Sequence, residues 1–143
     1  MLALAAVGFY LLGSIPFSFL IARLFKGVDI RQHGSGNVGA TNVTRVIGLL
    51  PGALALFLDL SKGVVAAFLA QLYSVPIALA GFAVLGHNWS VFLKFTGGKG
   101  VATSLGILLI LSWPAFLITL GIWLVVFVLT RHVSVGSMTA LML

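Results

Sequence analysis

The sequence predicts an all-α, polytopic integral membrane protein. Its expected form is a helical bundle of about five spans plus a truncated sixth, with re-entrant-type polar loops on the cytoplasmic face. Three observations predict it. Hydrophobic residues make up 61% of the 143 and charged residues only 7%, where a soluble domain carries about a quarter charged residues. Mean hydropathy is +1.23, and apolar runs long enough to cross a bilayer recur along the chain. Seven of the eight basic residues fall in alternate polar segments, as the positive-inside rule requires of short loops.

The elements follow in order. Residues 1–22 form a first span, interrupted at Gly13-Ser14-Ile15-Pro16, where Pro16 removes a helical hydrogen bond that neighbours must replace. Residues 23–45 are a polar segment. Residues 49–72 form a second span, with Pro51 suited to its first turn. Tyr73-Ser74-Val75-Pro76 is a tight turn. Residues 76–92 return, with Trp89 and Phe92 as interface anchors. Residues 93–100, LKFTGGKG, are a second polar loop. Residues 101–112 are apolar but short for a crossing, which takes about 20 residues. Ser112-Trp113-Pro114 breaks the run, residues 114–129 cross again, and 133–143 begin one more span. No repeat and no linker divides 1–143, which is expected to be one transmembrane domain.

Arg23, Lys26, Arg31, Arg45, Lys94, Lys99 and Arg131 all lie in the segments 23–45, 93–100 and 131–132, and the intervening turns carry none. Those three segments are therefore expected to face the cytoplasm, with the N-terminus outside. The net charge of +6 thus sets topology, and no basic run interleaved with aromatics offers a nucleic-acid face. Without cysteine there is no disulfide or thiolate chemistry. Three scattered histidines and two carboxylates show no metal-ligand spacing, so no metal and no cofactor are expected.

The chemistry concentrates in residues 31–45, RQHGSGNVGATNVTR. Gly34, Gly36 and Gly39 at that density disfavour helix and strand and leave backbone N–H groups free to face a ligand. Ser35, Asn37, Thr41, Asn42 and Thr44 add hydroxyls and amides, and Arg31 and Arg45 bracket the set. This is the composition of a phosphate receptor, whereas a plain connector is short and has no need of it. The second loop, Thr96-Gly97-Gly98-Lys99-Gly100, feeds a helix. It fails the P-loop pattern, having Leu93 and Gly100 where that pattern needs Gly and Ser or Thr. Its glycine turn still presents a helix N-terminus, and Lys99 a point charge, to an anion. No nucleophile–base–acid triad is visible. His33, inside the first loop, is the better candidate general base. His87 reads more readily as a structural hydrogen-bonder than as a catalyst. Asp59 and Lys62, three apart in the second span, are either a functional pair or, the reading preferred here, a self-compensating structural one.

Taken together, Gly13-Ser14-Ile15-Pro16, Ser35-Gly36-Asn37-Val38-Gly39-Ala40-Thr41-Asn42 with Arg45, Leu58-Asp59-Leu60-Ser61-Lys62-Gly63, Gly86-His87 and Gly97-Gly98-Lys99-Gly100-Val101-Ala102-Thr103 resemble the bacterial acyl-phosphate:glycerol-3-phosphate acyltransferase family. The resemblance runs the length of the chain. It lacks the later helices and a third motif with His, Asn and Glu, so the chain looks like a C-terminally truncated copy of a seven-helix fold. The resemblance implies transfer of an acyl group from acyl phosphate to the 1-hydroxyl of sn-glycerol 3-phosphate. The products are lysophosphatidic acid and phosphate, made for phospholipid synthesis at a bacterial plasma membrane. Ser35, Arg45 and Lys99 are the expected catalytic residues. His33, Gly36, Asn37, Gly39, Thr41, Asn42, Gly97 and Gly98 are the expected substrate-binding ones. The alternative is a small transporter of a phosphate-bearing anion, against which the absence of duplicated halves argues.

The charge asymmetry makes the topology testable. Cysteines introduced singly at Gln32 and Thr96 are expected to react with a membrane-impermeant thiol reagent only from the cytoplasmic side, and labelling of either from outside would refute the arrangement.

Overall fold

A computed structural model describes residues 1–130. Arg131, His132 and the span expected from 133 lie outside the described residues. The described residues hold seven α-helices: α1 (Leu2–Ser14), α2 (Phe17–Lys26), α3 (Ala40–Val46), α4 (Leu49–Leu72), α5 (Gly81–Asn88), α6 (Val101–Leu111) and α7 (Trp113–Thr130). Single 3₁₀ turns stand at Ile30–Gln32, Ile77–Ala80 and Val91–Leu93.

The first span is α1 and α2 laid end to end across Ile15-Pro16, and it runs to Lys26 rather than stopping at 22. Its end has a local cause: Gly27 takes the left-handed conformation at φ +69° and donates its N–H to the Arg23 carbonyl, closing the helix where Arg23 and Lys26 complement the dipole. α4 matches the expected second span and is long and apolar enough to cross a bilayer. The remaining apolar helices are shorter. The 3₁₀ turn with α5 covers Ile77–Asn88, and α6 has 11 residues, about 16 Å at 1.5 Å per residue, half a hydrocarbon core of about 30 Å.

α4 is the central helix, packed against α6, α3, α2 and α1, while α1 packs along α5. Its buried positions are Pro51, Gly52, Ala55, Asp59, Lys62, Gly63, Ala66, Ala67 and Ala70, a stripe at the three-to-four spacing of one helix face. The residues are small because the helices touch through their backbones. A methyl added at Gly63 would strike the Thr103 carbonyl, and one at Gly106 the Leu60 carbonyl. Gly13 lies in the same way against Ala83, and Gly86 against Tyr10 and Ser14. Such close approach is how helices gain dispersion energy and order in a solvent as apolar as themselves.

Two charged residues sit within this apolar seam. Asp59 and Lys62 are 2% and 3% exposed, with Lys62 Nζ 3.0 Å from Asp59 Oδ1. The pair is more than self-compensating. Lys62 Nζ also donates to the carbonyls of Gly13 (2.8 Å) and Ile15 (3.0 Å), and Ser90 Oγ donates to Ser14 O. These carbonyls flank the break before Pro16, where Ile15 O also accepts the Phe17 N–H at 3.1 Å, so the backbone groups freed there are answered from α4 and from the start of the Val91–Leu93 turn. Asp59 in turn accepts from Ser18 Oγ at 3.1 Å, and the Asp59 carbonyl accepts from Thr103 Oγ1 at 3.0 Å. One buried pair ties α1, α2, α4 and α6 together.

Removing one member of a buried pair strands the other. Lys62→Met is therefore expected to destabilise the fold by about 3–5 kcal/mol, read as a loss of folded fraction in detergent titration, and a loss under 1 kcal/mol would show that the break is held by other means.

Candidate active site

The first polar segment is more ordered than its glycines suggest. Ile30, Val38 and Val43 are buried and join Ile21, Ala22, Ala55 and Leu93 in a core cluster, so the loop is rooted in α2 and α4. The sequence predicts an irregular loop through 45; instead residues 40–46 form α3. Asn42 organises the rest. It is 2% exposed, and its amide Nδ2 donates to the carbonyls of His33 (2.9 Å), Asn37 (3.1 Å) and Ile30 (3.2 Å). Its Oδ1 accepts the Ser35 N–H at 3.0 Å. Asn42 thus belongs to the loop's scaffold, and its polar atoms face the loop itself.

His33 and Ser35 do not lie on an extended segment. Gly34 has φ +61°, a conformation that glycine adopts freely, and the Gly36 N–H donates to His33 O at 3.0 Å, closing a tight turn. Both side chains are exposed, and no hydrogen bond joins them among the described residues. Thr41 and Arg45 are exposed on α3, while Asn37 and Gly39 are half-buried. The Oδ1 of Asn37 is enclosed without a hydrogen-bond partner among the described residues. Arg31 is not the open cation the sequence suggests. It makes a two-pronged bridge to Asp29, with Nη2 2.7 Å from Oδ2 and Nε 3.0 Å from Oδ1, and lies over the Phe19 ring at 5.3 Å. The Arg31 guanidinium, hydrogen-bonded to Asp29, holds that carboxyl below its usual range.

The second loop folds back on α5. Ser90 and Thr96 bridge in antiparallel fashion, and Lys94 and Phe95 take left-handed backbone angles. The Gly98 N–H donates to His87 O at 3.1 Å. The N–H groups of Gly36 and Gly98 are therefore engaged within the protein, while those of Gly39 and Gly97, also expected to face a ligand, carry no internal bond among the described residues. Lys99 is exposed, and α6 starts two residues on at Val101.

The two loops meet. A Cβ built at Gly98 would stand 2.6 Å from the Val38 carbonyl of the first loop and against His87 Nε2 of α5. Beneath the junction is a small cavity of about 10 Å³, lined by Gly13–Ser18, Val38, Asp59, Lys62, His87, Ser90, Leu93 and Gly97, close to the space of one water molecule. Two of its polar lining atoms, Ser14 Oγ and Asp59 Oδ1, have no aligned hydrogen bond. Arg45 on α3 and Lys99 on the second loop are exposed, and neither has a carboxylate within ion-pair distance among the described residues. Ser14 and Thr103 stand in the motifs quoted above but without a role, and Ser18 and Ser90 were not legible as part of this region. Nothing in their local sequence names the buried Asp59 or the Ser14 carbonyl as their partner.

A phosphate-handling integral membrane protein is the class this arrangement defines: two polar loops with unpaired cations, closed against each other on an apolar helical bundle. The chain belongs to the glycerol-3-phosphate acyltransferase family, whose model matches residues 3–143. It is similar to the glycerol-3-phosphate acyltransferase of Thermotoga petrophila, 48% identical over 92% of this chain and 69% of that one. It is similar too to that of Geobacillus kaustophilus, 49% identical over 98% of this chain and 73% of its relative. Among solved structures it is similar to PlsY (YgiH), an integral membrane glycerol 3-phosphate acyltransferase. Against the glycerol 3-phosphate form the TM-score is 0.90 at 46% identity, covering 97% of this chain and 72% of that one. Against the lysophosphatidic acid form the TM-score is 0.87.

The scaffold role of Asn42 has a direct consequence. Asn42→Ala removes four hydrogen bonds, each worth about 1 kcal/mol, so amides of residues 30–37 are expected to exchange with solvent tens to hundreds of times faster while α4 stays protected. Unchanged protection in the loop would place the organising contact elsewhere.

Proposed function

We propose that this glycerol-3-phosphate acyltransferase takes its acyl group from an acyl phosphate, and does so at the cytoplasmic face of a bacterial plasma membrane. The product is lysophosphatidic acid, with inorganic phosphate released. The observation that carries the reading is the contact of two glycine loops at Gly98 and Val38, loops that lead into the exposed cations Arg45 and Lys99, neither of which has an acidic partner among the described residues. Both proposed substrates and both products contain phosphate, and one substrate carries a membrane-soluble chain. The relatives structurally characterised with glycerol 3-phosphate and with lysophosphatidic acid support the substrate and the product.

The mechanism that fits is direct transfer. The 1-hydroxyl oxygen of glycerol 3-phosphate attacks the acyl carbonyl carbon, the bond from that carbon to the phosphate oxygen breaks, and the hydroxyl proton passes to the departing phosphate. An acyl phosphate is already activated, so the protein's work is to hold two substrates in line and to stabilise charge as it develops. Arg45 and Lys99 bind phosphate oxygens. The Ser35 hydroxyl, Asn37 and Thr41 position the substrates, with the Gly39 and Gly97 N–H groups and the N-terminus of α6 as further donors. A nucleophilic Ser35 would need a base against it, and the turn at Gly34 leaves His33 and Ser35 unjoined. No step calls for a metal or cofactor. The transporter alternative has no observation of its own to favour it.

The test is formation of lysophosphatidic acid from acyl phosphate and glycerol 3-phosphate, by this chain alone and by this chain extended with the C-terminal part its relatives carry. Arg45→Ala and Lys99→Ala are each expected to cost about 2–4 kcal/mol of transition-state stabilisation, on the order of a hundredfold in rate. Arg45→Lys is expected to recover only part of this, since a point charge does not replace a planar fork. Near-normal turnover in both alanine variants would overturn the site, and a covalent acyl group trapped on Ser35 would overturn direct transfer.

A further inference from the structure

His87 is the residue that touches both halves of the site. It is 8% exposed at the end of α5. On its inner side Nδ1 lies 3.5 Å from Asp59 Oδ1, within the buried pair that caps the α1–α2 break. On its outer side it meets the second loop twice. Its carbonyl accepts the Gly98 N–H at 3.1 Å, and its Nε2 occupies the space a Cβ at Gly98 would need. The Val38 carbonyl of the first loop closes the other side of that space. Gly98 therefore sits between an imidazole edge and a carbonyl, with room for hydrogen only, and the imidazole is backed at 3.5 Å by a carboxylate on the central helix. A ring enclosed on both edges leaves little freedom to whatever rests against it.

We propose that His87 is a positioning residue for the acyl transfer. Backed by Asp59, it sets the place of Gly98 against Val38, and thereby the distance from Lys99, the next residue, to the first loop. It does not touch substrate. Its whole effect on the reaction passes through the second loop. The proposal rests on the reading that Lys99 acts on a substrate phosphate.

That dependence supplies the experiment. His87→Asn keeps an amide donor near the position of Nδ1, so Asp59 retains its neighbour, but it withdraws the ring edge from Gly98. If His87 works through the loop that carries Lys99, its loss is expected to lower kcat/KM about tenfold in the wild-type background and less than about twofold once Lys99→Ala has already removed the loop's charge. A residue that merely stabilises the bundle would give the same loss in both backgrounds, and that result would overturn the proposal. A second readout needs no turnover. The chain has no cysteine, so spin labels at Gln32→Cys and Thr96→Cys report the distance between the two loops alone. A single narrow distance distribution is expected with His87, and one at least about twice as wide in His87→Asn; an unchanged distribution would overturn the proposal. Should the wild-type chain form no lysophosphatidic acid, the functional reading falls, and the distance measurement still decides whether His87 places the loop.

Discussion

The ammonium of Lys62 is the interaction on which the rest depends. A proline in the middle of a span leaves carbonyls that lipid cannot satisfy. Here the answer comes from a residue 46 positions along the chain, which reaches the Gly13 and Ile15 carbonyls at 2.8 and 3.0 Å. An ammonium alone at that depth would be too costly to keep charged, and Asp59 at 3.0 Å offsets it. The carboxylate then needs partners of its own, and Ser18 provides one. Each group is present because the previous one requires it. The chain of requirements starts at Pro16 and ends at His87, one residue layer below the polar loops.

This explains why a polar cavity exists beneath the junction at all. The seams around it, α4 on α6 and α1 on α5, are made of glycine and alanine packed to backbone contact. Seams of that kind are rigid because nothing in them can change rotamer. The loops, by contrast, hold their shape through hydrogen bonds to Asn42 and to the end of α5. The proposed site thus lies on irregular backbone, but that backbone is fastened to the closely packed part of the bundle.

Much of this was legible in the residues, and what was not has a physical reason. The second span and the break before Pro16 follow from hydropathy and proline chemistry, and α4 occupies Leu49–Leu72 as expected. α3 was missed because ATNVTRV is seven residues of modest helix propensity with no readable period; its helix is held by packing of Val43 and by Thr44 against Gly52, contacts that local sequence does not record. The Asp29–Arg31 bridge lay two residues apart in plain view, yet the same arginine satisfied the topological count equally well. For Asp59 and Lys62 the spacing shows a pair, but nothing in the sequence names carbonyls on another helix as its partners. Asn42 could be identified as important from its setting in SGNVGATN, while the direction its amide faces depends on the fold of the loop around it.

The glycine seams also limit what can pass between the helices. At Gly63 and Gly106 there is no room for a single methyl group between α4 and α6, and the same holds at Gly13 and Gly86 between α1 and α5. At these four contacts neither pair can admit a methylene. The outer flanks of the bundle, such as those bearing Phe57, Phe68 and Phe82, are exposed instead. The small residues that let the helices touch thus act, at these points, as a wall.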